Sequence, residues 1–243
     1  MSIVAFIPAR GGSERIKRKN IKHLAGHPLL AYAIAGAKRA RIFDRIYVST
    51  EDPEIAKVAK RYGADVIDRP RHLAVSPRPD CKSTDLLWIL HALECVPDAA
   101  DCVLLRPTNP FRTAKTILRA WKLWTESQPS DSLRAVREVK ETPFKMWYEP
   151  YVNAPIARIE PLLHQHINYY DLPTQQAPKA YIQSGCIQIF TRKLVEEFND
   201  HTGSEVVPFI TTEAEGFDLN DIEDWDRAND LLERGLATLE VIE

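Results

Sequence analysis

Apolar positions open the chain in an almost unbroken run, "SIVAFIPA", which predicts a strand covered on both faces. Helical spacing follows in "PLLAYAIAGAKRA", where Leu30, Ile34 and Ala37 share a face. "RIYVST" predicts a second buried strand. "EDPEIAKVAKRYG" predicts a helix with Asp52 as N-cap, Pro53 at its first position and Gly63 as its stop. Ile55, Val58, Ala59 and Tyr62 line that helix. "ADVIDRP" predicts a short strand, and a proline-rich loop, "RPRHLAVSPRPDCK", separates it from a helix carrying Leu86, Ile89, Leu90 and Leu93. "DCVLLRPT" predicts another strand. Ile117, Ala120, Trp121 and Trp124 mark the next helix.

Strands and helices that alternate with short connections predict an α/β fold with a doubly wound, mostly parallel sheet and right-handed crossovers. Such a sheet receives its ligand at the carboxyl ends of its strands. Three segments fall there: the loop after Ala9, "DRP" and "RPTNP" after Leu105. The alternation breaks after Val139. The stretch from Lys140 to Ala180 is rich in proline and aromatics, has no helical period and reads as an insertion or arm. "AYIQSGCIQIF" and "VVPFIT" then predict strands, and "DIEDWDRANDLLERGL" a terminal helix with Asp221 near its start.

Composition narrows the function. The 243 residues carry a formal net charge of -2, so no broad basic face for nucleic acid is expected. Cations cluster only in "IPARGGSERIKRKN", where Arg10, Arg15, Lys17, Arg18 and Lys19 surround Glu14. The four cysteines, Cys81, Cys95, Cys102 and Cys186, have neither CxxC nor metal-type spacing, and two sit in apolar runs, which predicts a reducing compartment. No signal peptide pattern and no apolar run of membrane-spanning length is visible, so the expected location is cytoplasmic.

The basic loop carries the first chemistry. A glycine-containing turn between strand and helix presents backbone N–H groups to phosphate, and arginine and lysine neutralise the remaining charge. A solvated basic loop is the plain alternative. The loop matches neither GxxxxGK[ST] nor GxGxxG. Seven acids lie between Thr212 and Arg227, most of them at the head of the terminal helix, where the helix dipole alone favours them. Asp218 precedes that helix and is the candidate ligand for a hard cation such as Mg²⁺. Arg106 at a strand end suits a carboxylate or phosphate. Beside it, Thr108 or Asn109 could equally cap a helix. His164 and His166 lack a third ligand at metal spacing, and no G-x-S-x-G elbow is present.

Together "IPARGGSERIKRKN", "YVSTEDPEIAKVAKRYGADVIDRP", "LLRPTNPFR" and "GFDLNDIEDW" resemble the sugar-acid cytidylyltransferases, the group of CMP-sialic acid and CMP-nonulosonate synthetases. The resemblance runs from the first strand to the terminal helix and is weakest between about Lys140 and Phe190. It implies a nucleotidyltransferase (Rossmann-like) domain over residues 1–243, with residues 140–180 as an inserted arm that joins two subunits. It implies attack by the anomeric hydroxyl of a sugar acid on the α-phosphorus of CTP, with Mg²⁺ and release of pyrophosphate. Arg10, Arg15 and Lys19 would be the catalytic cations. Ala9, Arg10, Gly11, Ser13, Lys19, Asn20 and Arg69 would hold the nucleotide. Arg106, Thr108, Gln176 and Ser184 would face the sugar acid, and Asp218 with Asn220 would hold the metal.

The chain departs from that pattern at named places. Glu14 followed by Arg15 stands where the family has lysine after "GGS", and Asn220 replaces the second aspartate of D-x-D, with Asp221 able to compensate. In "PTQQAPKAYIQSG", Thr174 and Ile182 occupy positions of family arginines, and Ser184 replaces an asparagine. The loop between Arg69 and His91 is longer and holds Pro77, Pro79 and Lys82, which leaves the role of Asp85 open. Two other functions fit these departures: a nucleotidyltransferase for another nucleotide or a sugar 1-phosphate, and a non-catalytic nucleotide-binding regulatory subunit.

Overall fold

The computed structural model describes residues 2–74, 84–151, 158–163 and 167–242. Pro77, Pro79, Cys81, Lys82, His164 and His166 lie outside them. In chain order the elements are β1 (Ser2–Pro8), β2 (His23–Leu24), β3 (His27–Pro28), α1 (Leu29–Ala40), β4 (Arg45–Thr50), α2 (Pro53–Arg61) and β5 (Asp65–Asp68). They continue with α3 (Thr84–Cys95), β6 (Ala99–Leu104), α4 (Ala114–Glu126), β7 (Ser132–Glu138), β8 (Trp147–Tyr148) and β9 (Glu160–Pro161). The last are β10 (Tyr181–Thr191), α5 (Arg192–Phe198), β11 (Val206–Ile210) and α6 (Ile222–Glu233).

Seven strands form one sheet in the order β11-β7-β10-β6-β1-β4-β5. Strand β10 runs antiparallel to both its neighbours, and the other pairings are parallel. The apolar opening run forms a central strand because both its faces are covered. Ala5 and Ile7 pack in a core with α1, α2 and α4, while Val4 and Phe6 pack in a second core with α3 and α5. Asp52 caps α2 by accepting from the N–H groups of Glu54 and Ile55, and Gly63 takes φ +85° beyond its end. Asp221 caps α6, with Asp224 completing a capping box.

The structure adds elements that the periodicity does not reveal. "SLRAVRE" forms β7, whose alternation is masked by two arginines, and "RKLVEEF" forms the short helix α5. Of the two readings left open at Thr108 and Asn109, the helix cap does not occur: α4 starts at Ala114, with Thr113 at its N-cap. Asn109 is buried and donates through Nδ2 to the Phe217 carbonyl, 2.8 Å away, so it ties two loops together and caps no helix. Within residues 140–180, β8 and β9 form their own hairpin and join no strand of the main sheet.

A third core cluster fixes the basic loop. Ile16 and Leu24 pack with Leu29, Phe111, Phe217, Leu219 and Trp225, and Lys22 lies 4.4 Å over the Trp225 ring. Burying a side chain of this size contributes on the order of 1.5–3 kcal/mol. The loop after β1 is thereby held against the segment before α6, with Lys19 and Leu219 separated by 200 residues.

Candidate active site

A cleft of about 380 Å³ opens at the carboxyl edge of the sheet. Its walls come from the ends of β1, β5 and β6, from the start of α3 and from Asn220. Five cationic side chains line it, Arg10, Arg15, Lys19, Arg69 and Arg106, against the carboxylates of Glu14 and Asp85. Such a concave surface with excess positive charge suits a polyanionic ligand.

The loop is shaped by its own neighbours. The Gly11 N–H donates to Oε1 of Glu51 at 2.7 Å, and a Cβ on Gly11 would meet Oδ2 of Asp52 at 2.7 Å. A larger residue there would push aside the Asp52 side chain, which caps α2. Ala9 is buried and bonds to the Ser49 carbonyl at 3.0 Å. Asn20 is buried, lines the cleft and donates through Nδ2 to the Arg10 carbonyl at 2.9 Å, which latches the loop. Lys19 donates to the Leu219 carbonyl at 2.8 Å. Burial lowers the pKa of this lysine, as do Arg15 and Arg10, while Asp218 opposes the shift. Arg18 turns away and pairs with Asp52 and Glu54. Glu14 and Arg15 are both exposed where they border the cleft, so the acid displaces no cation from it.

Arg69 is buried, donates through Nε and Nη2 to Ser49, and lies 5.0 Å over the Trp88 ring. Burial lowers its pKa to about 10, so it remains charged at neutral pH. Asp85 accepts from the Trp88 indole at 3.0 Å and forms an ion pair with Arg106. Burial would raise the pKa of Asp85, but Arg106 and Trp88 outweigh it and hold the carboxyl below its ordinary range.

Of the residues expected at a site, Arg10, Ser13, Arg15, Lys19, Asn20, Arg69, Arg106, Thr108 and Asn220 meet in this cleft. Ala9 and Gly11 do not line it but anchor the basic loop through Ser49 and Glu51. Asp218 does not line it, but it is bonded to Asn220 and acts on Lys19, which both do. One oxygen of Asp218, Oδ1, is buried without a hydrogen-bond partner, while Oδ2 accepts from Nδ2 of Asn220 at 3.3 Å. Among the described residues no three His, Cys, Asp or Glu side chains gather as a metal site. The orphaned oxygen fits a hard divalent cation that takes one protein carboxylate and completes its shell with phosphate and water. Asp221 instead caps α6 through Oδ1. Gln176 is exposed on the short turn Thr174–Gln176, outside the cleft. Ser184 is buried, with no partner for its hydroxyl, and does not line the cleft.

Sequence reasoning missed Trp88, Glu51 and Arg112. Trp88 looks like one more apolar residue of a helical face. The only hint is Asp85 three residues earlier. Arg112 is almost wholly buried and donates through Nη1 to the carbonyls of Arg106 (3.0 Å) and Cys186 (2.7 Å). It thus fixes the backbone that carries Arg106 to β10. Burial lowers its pKa to about 10.

The sequence profile of the family described as Cytidylyltransferase matches residues 4–146. The N-acylneuraminate cytidylyltransferase of Escherichia coli O18:K1:H7 is 29% identical over 93% of this chain. The chain spans 51% of that relative's length. The CMP-N,N'-diacetyllegionaminic acid synthase of Legionella pneumophila is 30% identical over 96% of this chain and 97% of its own. Among solved structures, a CMP:2-keto-3-deoxy-manno-octonic acid synthetase complexed with CTP superposes with a TM-score of 0.67 at 13% identity, over 97% of this chain and 100% of that one. That likeness is one of fold.

Proposed function

This chain belongs to the cytidylyltransferase family, and from that premise we propose that it transfers CMP from CTP to the anomeric hydroxyl of a nonulosonic acid of the sialic-acid type, releasing pyrophosphate. The observation that carries the proposal is the cleft in which Arg10, Arg15, Lys19, Arg69 and Arg106 converge beside Asp218. The two named relatives supply the acceptor class, an N-acylneuraminate and a diacetyllegionaminate.

The reaction forms one bond from the acceptor oxygen to the α-phosphorus and breaks the bond to the departing pyrophosphate. Charge accumulates on the phosphoryl oxygens and the leaving group, so catalysis is mainly positioning and neutralisation. Arg10, Arg15 and Lys19 supply positive charge along the triphosphate, with Ser13 beside them. Arg69, stacked on Trp88, and Asn20 face the nucleoside end. Arg106 and Thr108 border the acceptor end, and we place Gln176 and Ser184 on the acceptor's far side. Asp218 and the carbonyl of Asn220 would hold Mg²⁺, and a cation there would shield triphosphate charge. For that role the Asn220 amide must turn its oxygen toward the cation.

We further propose a cytoplasmic homodimer, one domain over residues 1–243 with the arm at 140–180 as its interface. Cys95, Cys102 and Cys186 are free, which suits a reducing compartment. Among the described residues no helix is long and apolar enough to cross a membrane. Met146, Trp147, Tyr148, Tyr151 and Ile159 are exposed near one another in the chain, more apolar surface than a solvated loop needs.

Pyrophosphate release tests the activity, with CTP, UTP, GTP and ATP each crossed against sialic, legionaminic and pseudaminic acids, a 3-deoxy-octulosonate and several sugar 1-phosphates. Turnover with CTP and a nonulosonate is expected. Turnover only with another nucleotide or a sugar phosphate would reassign the reaction. Binding of CTP without turnover of any acceptor would favour a regulatory subunit.

A further inference from the structure

An acid acceptor needs a cation that lacks a countercharge, because a carboxylate gains little from an arginine already neutralised. Thr174 and Ile182 leave the two positions where arginine was expected without charge. Arg106 does not simply fill the gap, since its Nη2 lies 2.5 Å from Oδ2 of Asp85. A second guanidinium, outside the lining of the cleft but acted on by Asp85 and Arg106 of that lining, stands level with the same edge of the sheet. Gln188 of β10 is in register with both Leu104, the last residue of β6, and Arg134 of β7. Arg134 therefore lies level with the end of β6, two residues short of Arg106. Here β10 bulges between Gln183 and Gln188.

The surroundings of Arg134 are polar but not anionic. Nη1 donates to Oε1 of Gln183 at 2.6 Å and Nη2 to Oγ1 of Thr202 at 2.7 Å. Nε is buried without a partner. Among the described residues no carboxylate forms an ion pair with it. The two acids that act on it from a distance are engaged elsewhere. Asp85 is held by Arg106 and Trp88, and Asp200 accepts from the N–H groups of His201, Thr202 and Gly203. Arg106 adds positive charge from the other side. Gln183 is an exposed side chain that can swing away.

We infer that Arg134 recognises the carboxylate of the acceptor, taking it in place of the Gln183 amide oxygen. The inference rests on the sugar-acid acceptor proposed above. Exchanging the neutral amide oxygen for a carboxylate turns a hydrogen bond with one ionised partner into an ion pair that can be bidentate, which adds both energy and geometric specificity. The planar fork of arginine suits both carboxylate oxygens, so lysine replaces it poorly.

The test compares an acid with its neutral ester: pyrophosphate release by the full chain with CTP, Mg²⁺ and either N-acetylneuraminic acid or its methyl ester, repeated with legionaminic acid and its ester. The wild type is expected to prefer the acids. Arg134→Gln is expected to raise KM for the acids about 10- to 100-fold, as expected for loss of a hydrogen bond to a charged group. The acid-over-ester preference then collapses toward one. Arg134→Lys should restore part of it, which a merely structural role for the side chain would not produce. If Arg134→Gln does not fold, Arg134→Lys alone decides, because a full preference in it overturns the inference. A preference that survives Arg134→Gln, or that collapses only in Arg106→Gln, also overturns it. A wild type that turns over other acceptors but no sugar acid refutes the acceptor class and the inference together. Equal use of acid and ester by the wild type refutes the inference alone.

Discussion

At the scale of single residues the cleft is a balance of charge and burial. Lys19 is partly desolvated and its ammonium is aimed by the Leu219 carbonyl, so little reorganisation is needed when a triphosphate arrives. Lys19→Met should lower kcat/KM for CTP by about 10²–10³-fold, the usual cost of removing one preorganised donor to developing charge. A thermal melt should change little, because burial already opposes the charged form. Asp218 makes a separate prediction. Its orphaned oxygen is the carboxylate ligand proposed for the cation, so Asp218→Asn should shift the Mg²⁺ titration of activity at least tenfold toward higher concentration. An unchanged titration would remove Asp218 from any metal role. The motif identified Lys19 and Asp218 separately. Their proximity and the contacts of Trp88 and Asp85 were not legible, because neighbours so far apart in sequence leave no local pattern.

At the scale of elements the fold was legible wherever apolar residues kept one period. Strand β1 and helices α1, α2 and α4 follow their spacing, and Asp52 and Asp221 cap as their positions imply. Strand β7 was not legible, since the arginines at 134 and 137 look like solvated side chains until Gln183 and Thr202 are placed beside the first of them. Glu215 links the segment before α6 to helix α4. Its carboxylate accepts from Thr212 N–H, Thr116 and Arg119. Burial alone would raise its pKa, but those three partners outweigh it and hold it below the ordinary value of 4.5. A carboxyl with a depressed folded pKa stabilises the fold above its unfolded value and loses that contribution as pH falls through the folded one. Stability should therefore drop below about pH 4.5, and Glu215→Gln should flatten that part of a melting-temperature profile. A variant as acid-labile as the wild type would exclude this link.

At the scale of the whole molecule, the third core decides where the chemistry sits. Ile16 of the basic loop and Phe217, Leu219 and Trp225 of the C-terminal segment bury one another, which brings Lys19 to Asp218. The exposed aromatics of the 140–180 segment belong to the same scale. Trp147 rests on Tyr170 and Phe144 on Tyr169, yet Met146, Trp147 and Tyr148 remain exposed. Sedimentation at micromolar concentration should give a dimer, and Trp147→Glu should shift it to monomer. A monomeric wild type would show that these side chains serve no self-association. The sequence by itself determined the alternation of strands and helices, the caps, the cationic loop and the candidate acid at 218, because each is written in neighbouring residues through period, charge or backbone preference. Only the tertiary structure decided that β10 runs antiparallel, that Asp85 neutralises Arg106 and that, among the described residues, no carboxylate pairs with Arg134. Those outcomes depend on which distant side chains share a low-dielectric space, and pairings across more than twenty residues are set by packing instead of by local pattern.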